Sequence, residues 1–360
     1  MDPKNRLNED ERRVNLNISR VRSRKARLNE SHVTLAHGAG GKASAALIEA
    51  VFYSAYDNPV LNQQGDSAVI PLAELVQAHG SSLAFSTDSY VVSPIIFPGG
   101  NIGELAINGT VNDLAVAGAQ PKLISVGFIL EEGLAITELR EIVQSMREAA
   151  EKAGVHIVAG DTKVVPKGAG DKVYINTSGI GVIPPGRFST PIQPGDRIIV
   201  SGPIADHGMA VMLARGDLAI SAPIESDTQS VHGMTEALFA NCNPRWMRDA
   251  TRGGLATVMN ELAKVTGFGV ALEDVQIPVR DMTRAACDML GIDPLYVANE
   301  GTFVAVVPEA DVENALSVLP EGKVIGTVVE EPAAAVVLKT GFGGTRMVDM
   351  LVGDPLPRIC

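Results

Sequence analysis

The chain of 360 residues is 46% hydrophobic and 20% charged, with a formal net charge of −12. Residues 1–30 hold nine Lys/Arg against five Asp/Glu, so the remainder carries about −16, a field that disfavours a nucleic-acid backbone as ligand. No apolar run is long enough to span a membrane, residues 1–30 lack the apolar core of a signal peptide, and the three cysteines form no CxxC pair, which fits free thiols in a reducing cytoplasm.

In chain order, residues 1–30 read as a disordered basic leader with no assigned function. Apolar periodicity then predicts helices near 42–56, 102–117 and 137–153, and strands near 83–87, 123–130, 155–159 and 173–183. The Pro/Gly-dense stretch 183–196 marks the junction between an N-terminal domain at 31–185 and a C-terminal domain at 195–348. In the second domain strands are expected at 197–200, 303–307, 324–329 and 335–339, with helices near 207–215, 229–240, 255–266 and 282–290. This mixture predicts an α+β (α/β-type) protein of two similar-sized domains. Residues 349–360 read as a flexible tail that Pro355 and Pro357 keep extended, and the sequence ends on Cys360. A thiol on such an arm is suited to carry a covalently attached group between sites.

Two further features suit phosphate chemistry. The loop His37-Gly38-Ala39-Gly40-Gly41-Lys42 precedes a helix, and glycines there let backbone N–H groups converge on an anion. The loop is neither a Walker A nor a GxGxxG motif, and taken alone it reads as simple connection geometry. Five aspartates, Asp66, Asp88, Asp113, Asp161 and Asp249, sit beside small residues where strands should end or helices begin. Singly each reads as a cap or turn residue; together they suit magnesium and nucleotide phosphates. Asn108 and Asn112 share a helix face, and Gly109 is expected to leave space over Asp113. Lys163 follows Asp161 closely, and Glu300 precedes a buried-looking strand, a position from which a base or charge stabiliser is often presented. The six histidines show no ligand spacing and are expected to be structural or exposed.

The segments Leu35-Ala36-His37-Gly38, Ser86-Thr87-Asp88-Ser89-Tyr90-Val91-Val92-Ser93-Pro94, Phe97-Pro98-Gly99-Gly100-Asn101-Ile102-Gly103, Gly109-Thr110-Val111-Asn112-Asp113, Gly160-Asp161-Thr162-Lys163-Val164-Val165-Pro166 and Pro357-Arg358-Ile359-Cys360 occur in that order. From about His32 to Cys360 the chain thereby resembles the HypE family of hydrogenase maturation factors. These are carbamoyl dehydratases in the ATP-dependent superfamily of aminoimidazole ribonucleotide synthetase and selenophosphate synthetase. The resemblance implies a two-domain aminoimidazole ribonucleotide synthetase-like fold, with N-terminal strands forming a shared barrel in a homodimer. It implies that a partner carbamoyltransferase, HypF, loads a carbamoyl group onto Cys360, that the tail enters an ATP site, and that dehydration leaves an S-cyanide (thiocyanate). The cyanide ligand then passes to iron on a HypC-HypD scaffold for the [NiFe]-hydrogenase centre.

By the same resemblance, phosphates would rest on Gly38, Gly40, Gly41 and Lys42, and magnesium (Mg2+) on Asp66, Asp113 and Asp249. Asp88, Asn112 and Asp161 would be nucleotide contacts or further ligands, Glu300 the base, and Lys163 the stabiliser of developing charge. At the Cys360 thiol two effects oppose each other, Arg358 favouring the thiolate and the terminal carboxylate disfavouring it, and the sequence leaves the balance open. Two rival readings are a small-molecule ATP-dependent synthetase or kinase of the same superfamily, which would not require the final cysteine, and a nonenzymatic group carrier, which would not require the aspartates.

Overall fold

The computed structural model describes residues 28–39, 42–63, 82–216, 221–350 and 358–360. Gly40, Gly41, Asp66, residues 1–27 of the leader and residues 351–357 of the tail lie outside the described residues, as does the side chain of Lys42.

The first half is a sheet backed by helices. Helix α1 (Lys42–Leu47) continues as a π-helical turn, Ile48–Tyr53. Strand β1 (Ser82–Tyr90) and the ribbon of β2 (Ile96–Phe97) and β3 (Gly100–Asn101) lead into α2 (Ile102–Val116). Asn101 caps α2, its side-chain oxygen accepting from the N–H groups of Gly103 and Glu104, which satisfies donors the first turn leaves open. Then come β4 (Gln120–Glu131), α3 (Ile136–Ala153), β5 (His156–Val165) and β6 (Val173–Ile183). The sheet order is β1-β6-β4-β5, antiparallel except for β4 and β5. Parallel neighbours need a crossover, and α3 supplies it.

Helix α2 buries nearly its whole length because it is covered on every side, by the sheet, by α3 and by the second half of the chain. The opposite sheet face is open: Leu83, Phe85 and Ile129 lie there exposed. Residues 184–196 are turns and irregular chain.

The second half comprises β7 (Arg197–Val200), α4 (Asp206–Ala214), α5 (His232–Asn241), β8 (Trp246–Asp249), α6 (Gly254–Thr266), β9 (Gly269–Glu273), α7 (Asp281–Leu290), β10 (Phe303–Val307), α8 (Val312–Val318), β11 (Lys323–Val329), β12 (Val336–Lys339) and β13 (Thr345–Val348). Its seven strands run β13-β12-β9-β11-β7-β10-β8. Strand β10 is buried throughout, as a continuous apolar run in a covered sheet requires. Phe303 faces Asp249 across β10 and β8, so the chain entering β10, with Glu300, and the end of β8, with Asp249, meet at one sheet end beside α2. No helix among the described residues is long and apolar enough to cross a membrane.

Candidate active site

Cys360 is docked at this junction. Its carbonyl accepts from Val91 N–H at 3.3 Å, and the Arg358 carbonyl accepts from Ser93 N–H at 3.3 Å, so the last residues pair with the chain just beyond β1. Arg215 donates to the carbonyls of Ser93 and Arg358 at 2.9 and 2.7 Å. The Ile359 carbonyl accepts from His207 Nε2 at 3.0 Å. His207 Nδ1 meets Ser226 Oγ at 2.7 Å, which fixes the neutral tautomer as Nε2–H with the serine hydroxyl donating to Nδ1. Burial pushes this imidazole down to about 4, and the expectation of a structural histidine holds with the tail as its partner. Ile359 and Cys360 share a buried cluster with Tyr90, Met209 and Val297.

The cation at the sulfur is Arg252, whose Nε donates to Cys360 Sγ at 3.1 Å. Arg358 has a left-handed backbone, φ 59°, and its side chain pairs with Asp171 at 2.6 Å. Of the opposing effects the sequence left open at the thiol, the cationic one therefore comes from Arg252 and not from Arg358. Burial, then the Glu300 carboxylate, push the Cys360 thiol up to about 12 against the opposing pull of Arg252. The docked sulfur is a protonated thiol at neutral pH.

Around the sulfur stands a group of carboxylates. Glu300 is buried, and desolvation followed by Asp227, Asp249, Asp88 and Asp113 holds it well above the usual carboxylate range. Burial and then Asp113 push Asp249 up to about 7. Asp113 is also raised by burial, although Ser86 Oγ donates to it at 2.6 Å. The structure thus brings Asp88, Asp113, Asp249, Glu300 and Cys360 together from both halves of the chain. Asn112 sits among them with its amide committed to protein: Nδ2 donates to the carbonyls of Gln229 and Glu300 at 2.9 and 3.2 Å, and Oδ1 accepts from Val231 N–H at 2.8 Å. It ties α2 to the Glu300 segment.

Lys163 and Asp161 are not brought to this group within the chain. Lys163 Nζ grips both Asp161 oxygens at 2.8 and 2.7 Å, which holds Asp161 below the usual range. Asp161 follows the register Ser89, Asn176, Gly127, whereas Asp88 pairs with Thr177. Alternation sends the two aspartates to opposite sheet faces, three strand spacings or roughly 14 Å apart. Gly38 lies on the same far edge, where an added Cβ would meet Val164 N at 2.8 Å.

The space at Gly109 also differs from expectation. A Cβ there would meet the Tyr90 hydroxyl at 2.1 Å, so this glycine accommodates the phenol rather than clearing Asp113. Sequence reasoning also missed Asp227, which accepts from Glu300 N–H, Gly301 N–H and the Thr302 hydroxyl at 2.9, 3.0 and 3.0 Å and is pushed by burial up to about 6. Asp227 lies in the polar run Ser226-Asp227-Thr228, which has no periodicity to single it out. Arg252 carried a usable signal, the Gly253-Gly254 pair that follows it.

Among the described residues no three His, Cys, Asp or Glu side chains converge closely enough to hold a metal unaided. The burial of Asp113 and Asp249, and the repulsion that Asp88 adds to both and Asp113 adds to Asp249, are nevertheless what a hard divalent cation would relieve, so the donors present fit magnesium.

Residues 64–183 match the family described as AIR synthase related protein, N-terminal domain, and residues 193–339 the corresponding C-terminal domain. Over 342 residues the chain is 50% identical to carbamoyl dehydratase HypE of Rhodobacter capsulatus, covering 92% of this chain and 99% of that protein. A crystal structure of hydrogenase maturation protein HypE in complex with ATP superposes with a TM-score of 0.84 at 43% identity, covering 91% of this chain and 99% of that one. The HypE chain of a HypE-HypF complex gives a TM-score of 0.71 at 41% identity, covering 85% and 100%. The chain, with its two-domain AIR synthase-like fold and a cysteine docked among carboxylates where the halves meet, belongs to the HypE family of carbamoyl dehydratases of hydrogenase maturation.

Proposed function

We propose that Cys360 is the anchor of the substrate, and that the chain converts an S-carbamoyl group on its sulfur to a thiocyanate while ATP is cleaved to ADP and phosphate. The observation that carries this reading is the placement of the Cys360 sulfur beside Glu300 and Arg252. The similarity to an ATP-bound HypE supports ATP as co-substrate, and the similarity to the HypE chain of a HypE-HypF complex supports a HypF-type carbamoyltransferase as the loading partner. HypC-HypD as cyanide acceptor rests on the family resemblance.

An amide oxygen is a poor leaving group, and phosphorylation converts it into a good one. A carbamoyl N–H proton passes to Glu300, the electron pair shifts to oxygen, and that oxygen attacks the γ-phosphorus as ADP departs. The second N–H proton passes to the departing phosphate as the C–O bond breaks, which leaves C≡N on sulfur. The surroundings that raise Glu300 make it a strong base once ionised. Asp113 and Asp249, with Asp66, would hold magnesium, which when bound supplies positive charge to the phosphates. Asp227 and Asn112 fix the backbone that presents Glu300.

The homodimer belongs to the same proposal. The open face bearing Leu83, Phe85 and Ile129 suits burial against a second copy in a shared barrel, and a dimer would bring Gly38, Asp161 and Lys163 of one copy toward Cys360 of the other. Intact mass spectrometry after incubation with the carbamoyltransferase, carbamoyl phosphate and ATP tests the reading. Wild type gains a carbamoyl mass and then loses one water, while Cys360→Ala gains nothing; an unchanged adduct in the variant excludes Cys360.

A further inference from the structure

Resting on the reading that Cys360 carries the carbamoyl group, we propose that Arg252 is a catalytic residue that orients this group, donating to its oxygen while Glu300 faces its nitrogen. A carbamoyl group is nearly symmetric in shape, yet its two ends have opposite fates: oxygen must meet phosphorus and nitrogen must meet a base. Shape alone does not tell them apart. Hydrogen-bond polarity does, because the oxygen only accepts and the NH2 mainly donates.

The residues flanking the sulfur have that polarity. Arg252 Nε already donates to Sγ at 3.1 Å, and a guanidinium presents several donors in one rigid plane and no acceptor. With a carbamoyl carbon on the sulfur, the oxygen lies one bond further out, within the span of the remaining donors. An NH2 turned to the same side would set donor against donor. Glu300, the first carboxylate to act on Cys360, offers the acceptor. When nitrogen loses its proton the charge settles on oxygen, beside the guanidinium, so the contact strengthens toward the transition state.

The chain around Arg252 is built to hold this aim. Gly253 and Gly254 both have left-handed backbone, φ 73° and 59°. A Cβ on Gly254 would meet the carbonyls of Leu295 and Val297 at 2.6 Å, and Gly254 N–H closes the turn on the Thr251 carbonyl at 2.8 Å. The Ala250 carbonyl accepts from Asn299 N–H at 3.0 Å, coupling the Arg252 loop to the residue preceding Glu300.

The test is ATP-dependent water loss from the loaded full-length protein, followed by mass spectrometry and normalised to carbamoylated Cys360. Arg252→Gln should slow the step about a hundredfold, and Arg252→Lys, which keeps the charge without the fork, should fall between. A second readout needs no turnover. Before ATP is added, the 13C-labelled carbonyl stretch of the loaded wild type should lie at lower frequency than in Arg252→Lys, a shift that a merely structural role would not produce. Water loss at the wild-type rate in Arg252→Gln, or an identical carbonyl band in Arg252→Lys, overturns the assignment. The lysine variant decides the matter should the glutamine variant not fold. Loaded wild type that never loses water would instead overturn the parent reading.

Discussion

At the scale of single residues the site is a balance of charges around one sulfur. A thiol whose pKa stands near 12 when docked and near its ordinary value when free favours docking at neutral pH and loses that advantage as pH rises above about 9. Alkylation of Cys360, resolved by peptide mass spectrometry from the free thiols Cys242 and Cys287, should therefore show its inflection at higher pH than the excised tail peptide. Coincident profiles would mean that the docked state is not the populated one. Glu300→Gln removes the proposed acceptor for the carbamoyl proton and should slow water loss by a factor of about 100 or more while carbamoyl-Cys360 accumulates. The carboxylates make a further prediction. Asp249 and Asp227 have raised values near 7 and 6, so the stability they contribute is present at low pH and is lost as pH rises through those values. Raising pH from 6 to 8 should lower Tm by a few degrees, and magnesium should restore it in wild type but not in Asp249→Asn.

At the scale of elements, periodicity made most of the architecture legible. Residues 102–117, 137–153 and 173–183 carry long apolar patterns, and the structure has α2, α3 and β6 there within a residue. Strands β8, β9 and β13 and helix α8 were not expected; of the elements this short, those that were, such as β7 beyond Arg197 and β10 throughout, are continuous apolar runs, whereas β8 and β13 carry charged residues. The candidate site was legible in part. Glu300, Asp113 and Asp249 stood out by their places at element ends, and Arg252 carried a signal in the glycine pair after it, whereas His207 and Asp227 act through contacts with distant chain that spacing does not encode. Strand parity explains the separation of Lys163 from Cys360, since odd and even positions of β5 face opposite ways. His207 in α4 shows how an element serves the tail: His207→Ala removes the donor to Ile359 and should increase the alkylation rate of Cys360 severalfold at neutral pH. An unchanged rate would remove α4 from tail retention.

At the scale of the whole molecule, the two halves each contribute carboxylates, α2 is buried between them, and the tail closes the junction. In the proposed dimer, the far edge of the first sheet, with Gly38, Asp161 and Lys163, completes the site of the second copy. Mixed dimers of Lys163→Ala and Cys360→Ala chains should then dehydrate Cys360 in the heterodimer, although neither parent does. The claim on which the account stands is that the carbon on Cys360 becomes a nitrile inside this chain. Infrared spectroscopy with 13C-labelled carbamoyl phosphate follows that carbon directly. The account predicts that the carbonyl band of the loaded protein gives way, only after ATP is added, to a nitrile band that is isotope-shifted and remains with the tail peptide. A carbonyl band that persists with ATP, or a nitrile that forms in Cys360→Ala, would contradict it.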